Sequence, residues 1–313
     1  MPASVLPFFE TVGASGSWRI SFTGIAHPRV EEEDGLLKTP RLVVVLIALL
    51  VARVGLCADG KVVFEIAVAN TSPSSSSSAD WGWWNPAKYD QWSADGSSEL
   101  GLADVRLMVS GKTYTIILDG EWYPTLDAVG SDDLGPDEDE LVQQLSLKNS
   151  IYDLGIGQWF GRDRRTGIMP WVGATYMWIR EQQTTVQASG SGGSGDPDSA
   201  ASGLWGVVIG ADGSYRIWST LDLTGRVLFR WATGTRNATI SSQYPGGGGG
   251  AAGTAKVSDS IDSGMWGIDL GLRWYATKAF RLEIGWRYRD QTYDGGPASY
   301  GGPQIKAAYE FGR

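Results

Sequence analysis

Apolar and polar residues alternate strictly over long stretches of this chain, and that feature constrains its fold more than any other. In WGIDLGLRW, Trp266, Ile268, Leu270, Leu272 and Trp274 fall on one side, and Gly267, Asp269, Gly271 and Arg273 on the other. A period of two is the signature of a β-strand, whose successive side chains point to opposite faces. FRLEIGWRYR repeats the pattern, with Phe280, Leu282, Ile284, Trp286 and Tyr288 against Arg281, Glu283, Gly285, Arg287 and Arg289. QIKAAYEF places Ile305, Ala307, Tyr309 and Phe311 opposite Gln304, Lys306, Ala308 and Glu310. The same grammar upstream yields ten candidate strands, near 61–70, 99–110, 113–124, 142–159, 168–182, 203–215, 219–234, 263–275, 279–293 and 303–312. The phase is ambiguous near Leu102 and again near Lys148–Ile151, where a bulge is expected.

The connections alternate between short and long. SGKT and YATKA are short. The long ones, 71–98, 125–141, 188–202 and 235–262, are rich in Ser, Gly, Asp and Pro, a composition that cannot bury enough apolar area to fold alone. In an up-and-down barrel this alternation gathers all the long loops at one end. Upstream, LVVVLIALL follows Lys38 and Arg41 and ends near Cys57 and Ala58, the three parts of a secretory signal over 38–58. Arg53 keeps that run too short to span a bilayer as a helix. Residues 1–37 read as a non-native or disordered extension, and 59–313 as the folded barrel.

Alternation alone does not say which face points inward. A soluble lipocalin-like carrier has the same period with its apolar face inside. Four features favour a membrane barrel: long strands, a polar face carrying Gly and charges of both signs, aromatics near strand ends, and the secretory signal. Trp122, Trp178, Trp231, Trp274, Trp286 and Phe311 are the candidate membrane-interface aromatics. The charged face then lines the lumen. Its candidates are Asp104, Asp119, Glu121, Asp153, Asp222, Asp269 and Glu283 against Arg106, Lys148, Arg226, Arg230, Arg273, Arg281, Arg287 and Arg289. Arginine suits such a network because its planar fork serves two carboxylates at once. Ten strands enclose a space that side chains nearly fill, so a wide diffusion pore is not expected.

From about residue 95 onward the chain resembles the small, porin-like outer-membrane β-barrel proteins of Gram-negative bacteria. TYTIILDGEWY, PWVGATYMW, GADGSYRIWSTLDLTGRV, FRLEIGWRYRDQTYD and the closing GPQIKAAYEF carry the resemblance. It implies an all-β, transmembrane, antiparallel up-and-down barrel of about ten strands (eight to twelve) in an outer membrane, with both termini periplasmic. It also implies outer-membrane lipid, lipopolysaccharide and the barrel-assembly machinery as partners. The last strand resembles the signal that machinery reads, although Gly312 and Arg313 follow Phe311.

Composition removes several functions. The net charge of −9 argues against a nucleic-acid partner. His27 is the one histidine and Cys57 the one cysteine, so residues 59–313 hold neither an imidazole base nor a thiol, and no cofactor, metal or enzyme activity is expected. An acidic run within 125–141 and the cluster Trp81, Trp83, Trp84 and Trp92 read as solvated and interfacial segments. The expected function is a narrow channel passing small solutes or ions, or a structural barrel with a charged, largely filled lumen. The alternatives are an adhesion or glycan-binding protein acting through its long loops, and a soluble lipocalin-like carrier.

Overall fold

The computed structural model describes residues 9–10, 19–20, 60–75, 91–95, 99–132, 141–163, 165–187, 198–242, 253–293 and 296–311. The chain divides into two compact units, Met1–Val44 and Val45–Arg313. In the first, Phe9–Glu10 pairs antiparallel with Arg19–Ile20. The candidate signal lies outside the described residues, as do the side chains of the tryptophan cluster and of the acidic run.

The second unit is a closed barrel of ten antiparallel strands. In chain order they are β1 (Lys61–Ser75), β2 (Glu99–Ser110), β3 (Thr115–Trp122), β4 (Leu141–Gly157), β5 (Thr166–Gln187), β6 (Asp198–Arg216), β7 (Leu221–Ser242), β8 (Gly253–Tyr275), β9 (Phe280–Tyr293) and β10 (Gly296–Phe311). Each pairs with its chain neighbours, and β10 pairs back onto β1, Ile305 opposite Val68, to close the ring. Following partners once round the barrel returns to β1 displaced by about 12 residues, the stagger that tilts the strands of a closed barrel. The connections 111–114, 158–165, 217–220 and 276–279 sit at one end, the short-turn end.

Three differences from the sequence reading have physical causes. The strands run on into segments read as loops: β7 reaches Ser242, β8 begins at Gly253 and β6 at Asp198. Ser/Gly/Asp-rich composition hides these extensions, because paired strands beyond the apolar zone need no apolar face. Within the expected loops 71–98 and 125–141, Gln91–Asp95 and Leu126–Asp132 pair with each other and continue the wall above β2 and β3. The bulge is not at Lys148–Ile151, where β4 pairs with β5 without a break. The register shift falls in β2, where Ala67 faces Asp104 and Val68 faces Leu102, leaving Ala103 unpaired.

The outer wall is apolar. Trp205 is 67% exposed, Phe229 62% and Ile284 62%, with Val172, Val207, Ile209, Leu270 and Ile305 among them. Large apolar side chains outside and charges inside invert the arrangement of a soluble carrier and match a barrel solvated by lipid.

Candidate functional site

The candidate site is the barrel interior, which is built in layers. Toward the long-loop end apolar side chains enter the interior beside hydrogen-bonded polar ones. Leu126, Leu147, Ile151, Met177, Leu204, Ile261 and Met265 form one buried cluster with Tyr123, Tyr293 and Tyr300. Ile151 faces Met177, and Met177 faces Leu204, on three successive strands. The rings of Tyr123 and Tyr300 lie 4.7 Å apart. The Tyr293 hydroxyl donates to Glu181 and meets Ser202 Oγ at 2.9 Å, while Asn149 donates to Gln291 at 2.7 Å.

Below this cap lies a layer of arginines and carboxylates that crosses the lumen. Arg226 on β7 holds four acids from four strands: Asp212 at 3.0 Å, Asp104 at 3.3 Å, Asp119 at 3.4 Å and Glu65 at 3.4 Å. Arg230, two inward positions along and beyond Leu228, grips Asp153 at 2.7 Å and Glu121 at 3.1 Å. Arg289 reaches from β9 to Glu121 at 2.9 Å and Asp269 at 2.6 Å. Arg287 donates to Asp104 and Arg106 takes Asp212 in a fork, at 2.7 and 2.8 Å. Lys306 lies 3.1 Å from Asp269, and Arg273 2.8 Å from Glu283. Nearly all of these side chains are fully buried. Apart from Asp153, which among the described residues Arg230 alone holds, each of these carboxylates is held by cations from more than one strand, so the layer ties the walls together as well as filling them.

The structure thus brings Asp104, Arg106, Asp119, Glu121, Arg226, Arg230, Asp269, Arg273, Glu283, Arg287 and Arg289 into one network. Asp222 is set apart, at the short-turn end, where Arg165 grips it at 2.6 Å. Arg281 lies at the rim of the barrel mouth, 3.9 Å from Glu310. Lys148 is not in the lumen. Its neighbour Asn149 bonds across the interior, so Lys148 falls on the outer face of an unbroken strand. Glu65, Asp212 and Lys306 were not among the candidates, yet they belong to the network. Asp212 is legible in the sequence as the next inward step after Gly206, Val208 and Gly210.

Among the aromatics, Trp231, Trp274 and Phe311 lie exposed on the outer wall, and Trp178 is half-buried. Trp286 also faces outward but sits at mid-strand, level with Leu270, away from either end. Trp122 is buried, edge-on to Tyr152 with centroids 6.1 Å apart.

Glycines on the inward face make room for large neighbours. Trp171 points inward, its ring against Gly155 and Gly210 and its Cβ against Gly157, with the Arg106 guanidinium 5.6 Å from the ring centroid. A Cβ on Gly210 would stand 2.4 Å from that ring. Gly210→Ala is therefore expected to lower stability by about 1–3 kcal/mol, the usual range for overpacking, in urea unfolding from lipid vesicles. An unchanged midpoint would mean that Trp171 is free to move aside.

Asp104, Asp119 and Glu121 bring carboxylate oxygens within 4.8 Å of one another. Arginines already neutralise all three, so the donor set suits guanidinium better than a cation.

No protein-family model and no curated protein matches the chain. Solved structures do. The outer-membrane protease OmpT of Escherichia coli superposes with a TM-score of 0.52 at 14% identity, over 80% of this chain and 96% of that one. The translocator domain of the autotransporter NalP from Neisseria meningitidis gives 0.39 at 10% identity, over 87% and 96%. The outer-membrane protein OprG of Pseudomonas aeruginosa gives 0.35 at 11%, over 82% and 97%. With the apolar outer wall, the ten-strand closure and the polar interior, the superposition on OmpT shows that this chain has the fold of the small outer-membrane β-barrel proteins of Gram-negative bacteria.

Proposed function

We propose that the protein is an outer-membrane barrel with a sealed lumen, a scaffold that carries extended hairpins beyond the bilayer and passes no solute. The carrying observation is the cross-lumen layer. Arg226, Arg230, Arg287 and Arg289 are buried and reach carboxylates on β2, β3 and β4, under a cap of packed apolar side chains. A path through it would have to break several buried ion pairs and pass an apolar constriction.

The strands support the scaffold role. A barrel strand needs roughly 9–11 residues to cross a bilayer. β5 has 22, β7 has 22 and β8 has 23. The surplus lies at the long-loop end, which this reading places outside the cell, with both termini and the short turns in the periplasm. The segment 38–58 is the export signal, and lipopolysaccharide and the barrel-assembly machinery are the partners that location brings. The projecting wall also favours a second reading, a surface-interaction protein that binds through those hairpins. The reading is non-enzymatic. OmpT is a protease, but residues 59–313 of this chain contain no histidine or cysteine.

Planar-bilayer recording tests it. Protein that shows the heat-dependent gel shift of a folded barrel is expected to give no conductance steps. Regular single-channel events from that material would overturn the sealed-lumen reading and restore the narrow channel.

A further inference from the structure

Beneath the ion-pair layer the interior opens at the short-turn end into a blind cavity of about 870 Å³. That volume is in the range of small-molecule sites. Nine basic and five acidic side chains line it. Their pairing is uneven. In the ceiling, Arg106 and Arg226 are committed to Asp212, and Lys306 to Asp269. On the wall, Arg165 is committed to Asp222 and Arg273 to Glu283.

At the mouth a single carboxylate, Glu310, stands between two cations. Lys61 Nζ takes it at 2.7 Å, while Arg281 Nη1 stays 3.9 Å away. Arg281 Nε is buried and has no hydrogen-bond partner. Lys278, Ser219 and Thr220 share this rim.

We infer that this cavity is a binding site for a small multivalent oxyanion of the phosphate class, held at the mouth by Arg281 and Lys61. A recess with low-dielectric walls focuses the field of its surplus cations. The guanidinium fork of Arg281 matches a phosphate oxygen pair, and its Nε would gain the partner it lacks. Glu310 is the competitor such an anion displaces. The ion-pair ceiling closes the far side, so the site is a pocket and not a stage in a conducting path.

The test titrates inorganic pyrophosphate calorimetrically into the folded barrel in zwitterionic detergent, with the gel shift confirming the fold of every variant. Saturable one-site binding is expected, weakening as salt rises. Arg281→Gln is expected to weaken it by about tenfold or more, the loss of a charge-assisted fork. Lys61→Gln, at a more exposed position, gives an independent arm that weakens it less. Glu310→Gln removes the competing carboxylate and is expected to tighten binding. No saturable binding in either the parent protein or Glu310→Gln overturns the proposal. So do affinities indifferent to all three substitutions, since the anion would then sit elsewhere. Either failure leaves the sealed-lumen reading intact, because conductance decides that separately.

Discussion

Arg226→Met is expected to destabilise the barrel by about 3–5 kcal/mol, the range for removing one partner of a buried ion pair. Methionine keeps the packing of the aliphatic stem and removes only the guanidinium. The loss arises from what is left behind. Asp212, Asp104, Asp119 and Glu65 converge on this one guanidinium, and Asp104 and Asp119 each have a second oxygen that is buried without a hydrogen bond. Without Arg226 these carboxylates keep fewer cations and repel one another. Asp212 retains the fork of Arg106 and Asp104 retains Arg287, but Asp119 keeps only Arg106 Nε at 3.7 Å. Asp119→Asn should therefore restore part of the loss in the double variant, with a coupling of about 1 kcal/mol or more. Arg226→Lys should restore little, because a point charge cannot serve acids arriving from four strands. Urea unfolding from lipid vesicles reads the parent and all four variants. Simple additivity of Arg226→Met and Asp119→Asn would show that the layer is a set of independent contacts and not a network.

The strands, their closure and the identity of the charged face were legible because period-two alternation is a local signal that survives without any partner. Asp269 and Arg273, or Arg287 and Arg289, declare their face through the leucines or the tyrosine between them. The apolar cap was not legible in that way. Where the interior becomes apolar, both faces of a strand are apolar and the alternation loses contrast. Leu204–Trp205 and Met265–Trp266 are such places, one residue inward and one outward. Adjacent large apolar residues inside an otherwise alternating strand are the signal that was available. The bulge at Ala103 and the straight run through Lys148 were indistinguishable for a related reason. A register shift is a property of two strands, and a single strand shows only an ambiguous phase. The partners of Arg226 were beyond reach in the sequence, since Glu65 is 161 positions away and only barrel closure brings them together.

Ile209→Arg separates the membrane barrel from its soluble inversion. Ile209 faces outward on β6, 58% exposed, beside Val172 and Phe229 on the neighbouring strands. Trp205 lies on the same face toward the long-loop end and Tyr215 toward the short turns. At the rise and tilt of barrel strands the ten residues between those two rings span about 25 Å, the height of the apolar band of an outer-membrane barrel. Ile209 falls near its middle. An arginine there is expected to cost about 2–4 kcal/mol in lipid vesicles, falling to about 0–1 kcal/mol for Thr235→Arg beyond the upper ring. The inward neighbour Val208 is untouched by either change, so the difference reads depth in the bilayer and not damage to the core. A barrel that lives in water would answer differently. There Ile209→Arg replaces an exposed apolar residue with a charged one, changes stability by within about 0.5 kcal/mol and improves solubility without detergent. A neutral result at Ile209 would thus remove the membrane from the account, and with it the reason for an apolar wall around a charged interior.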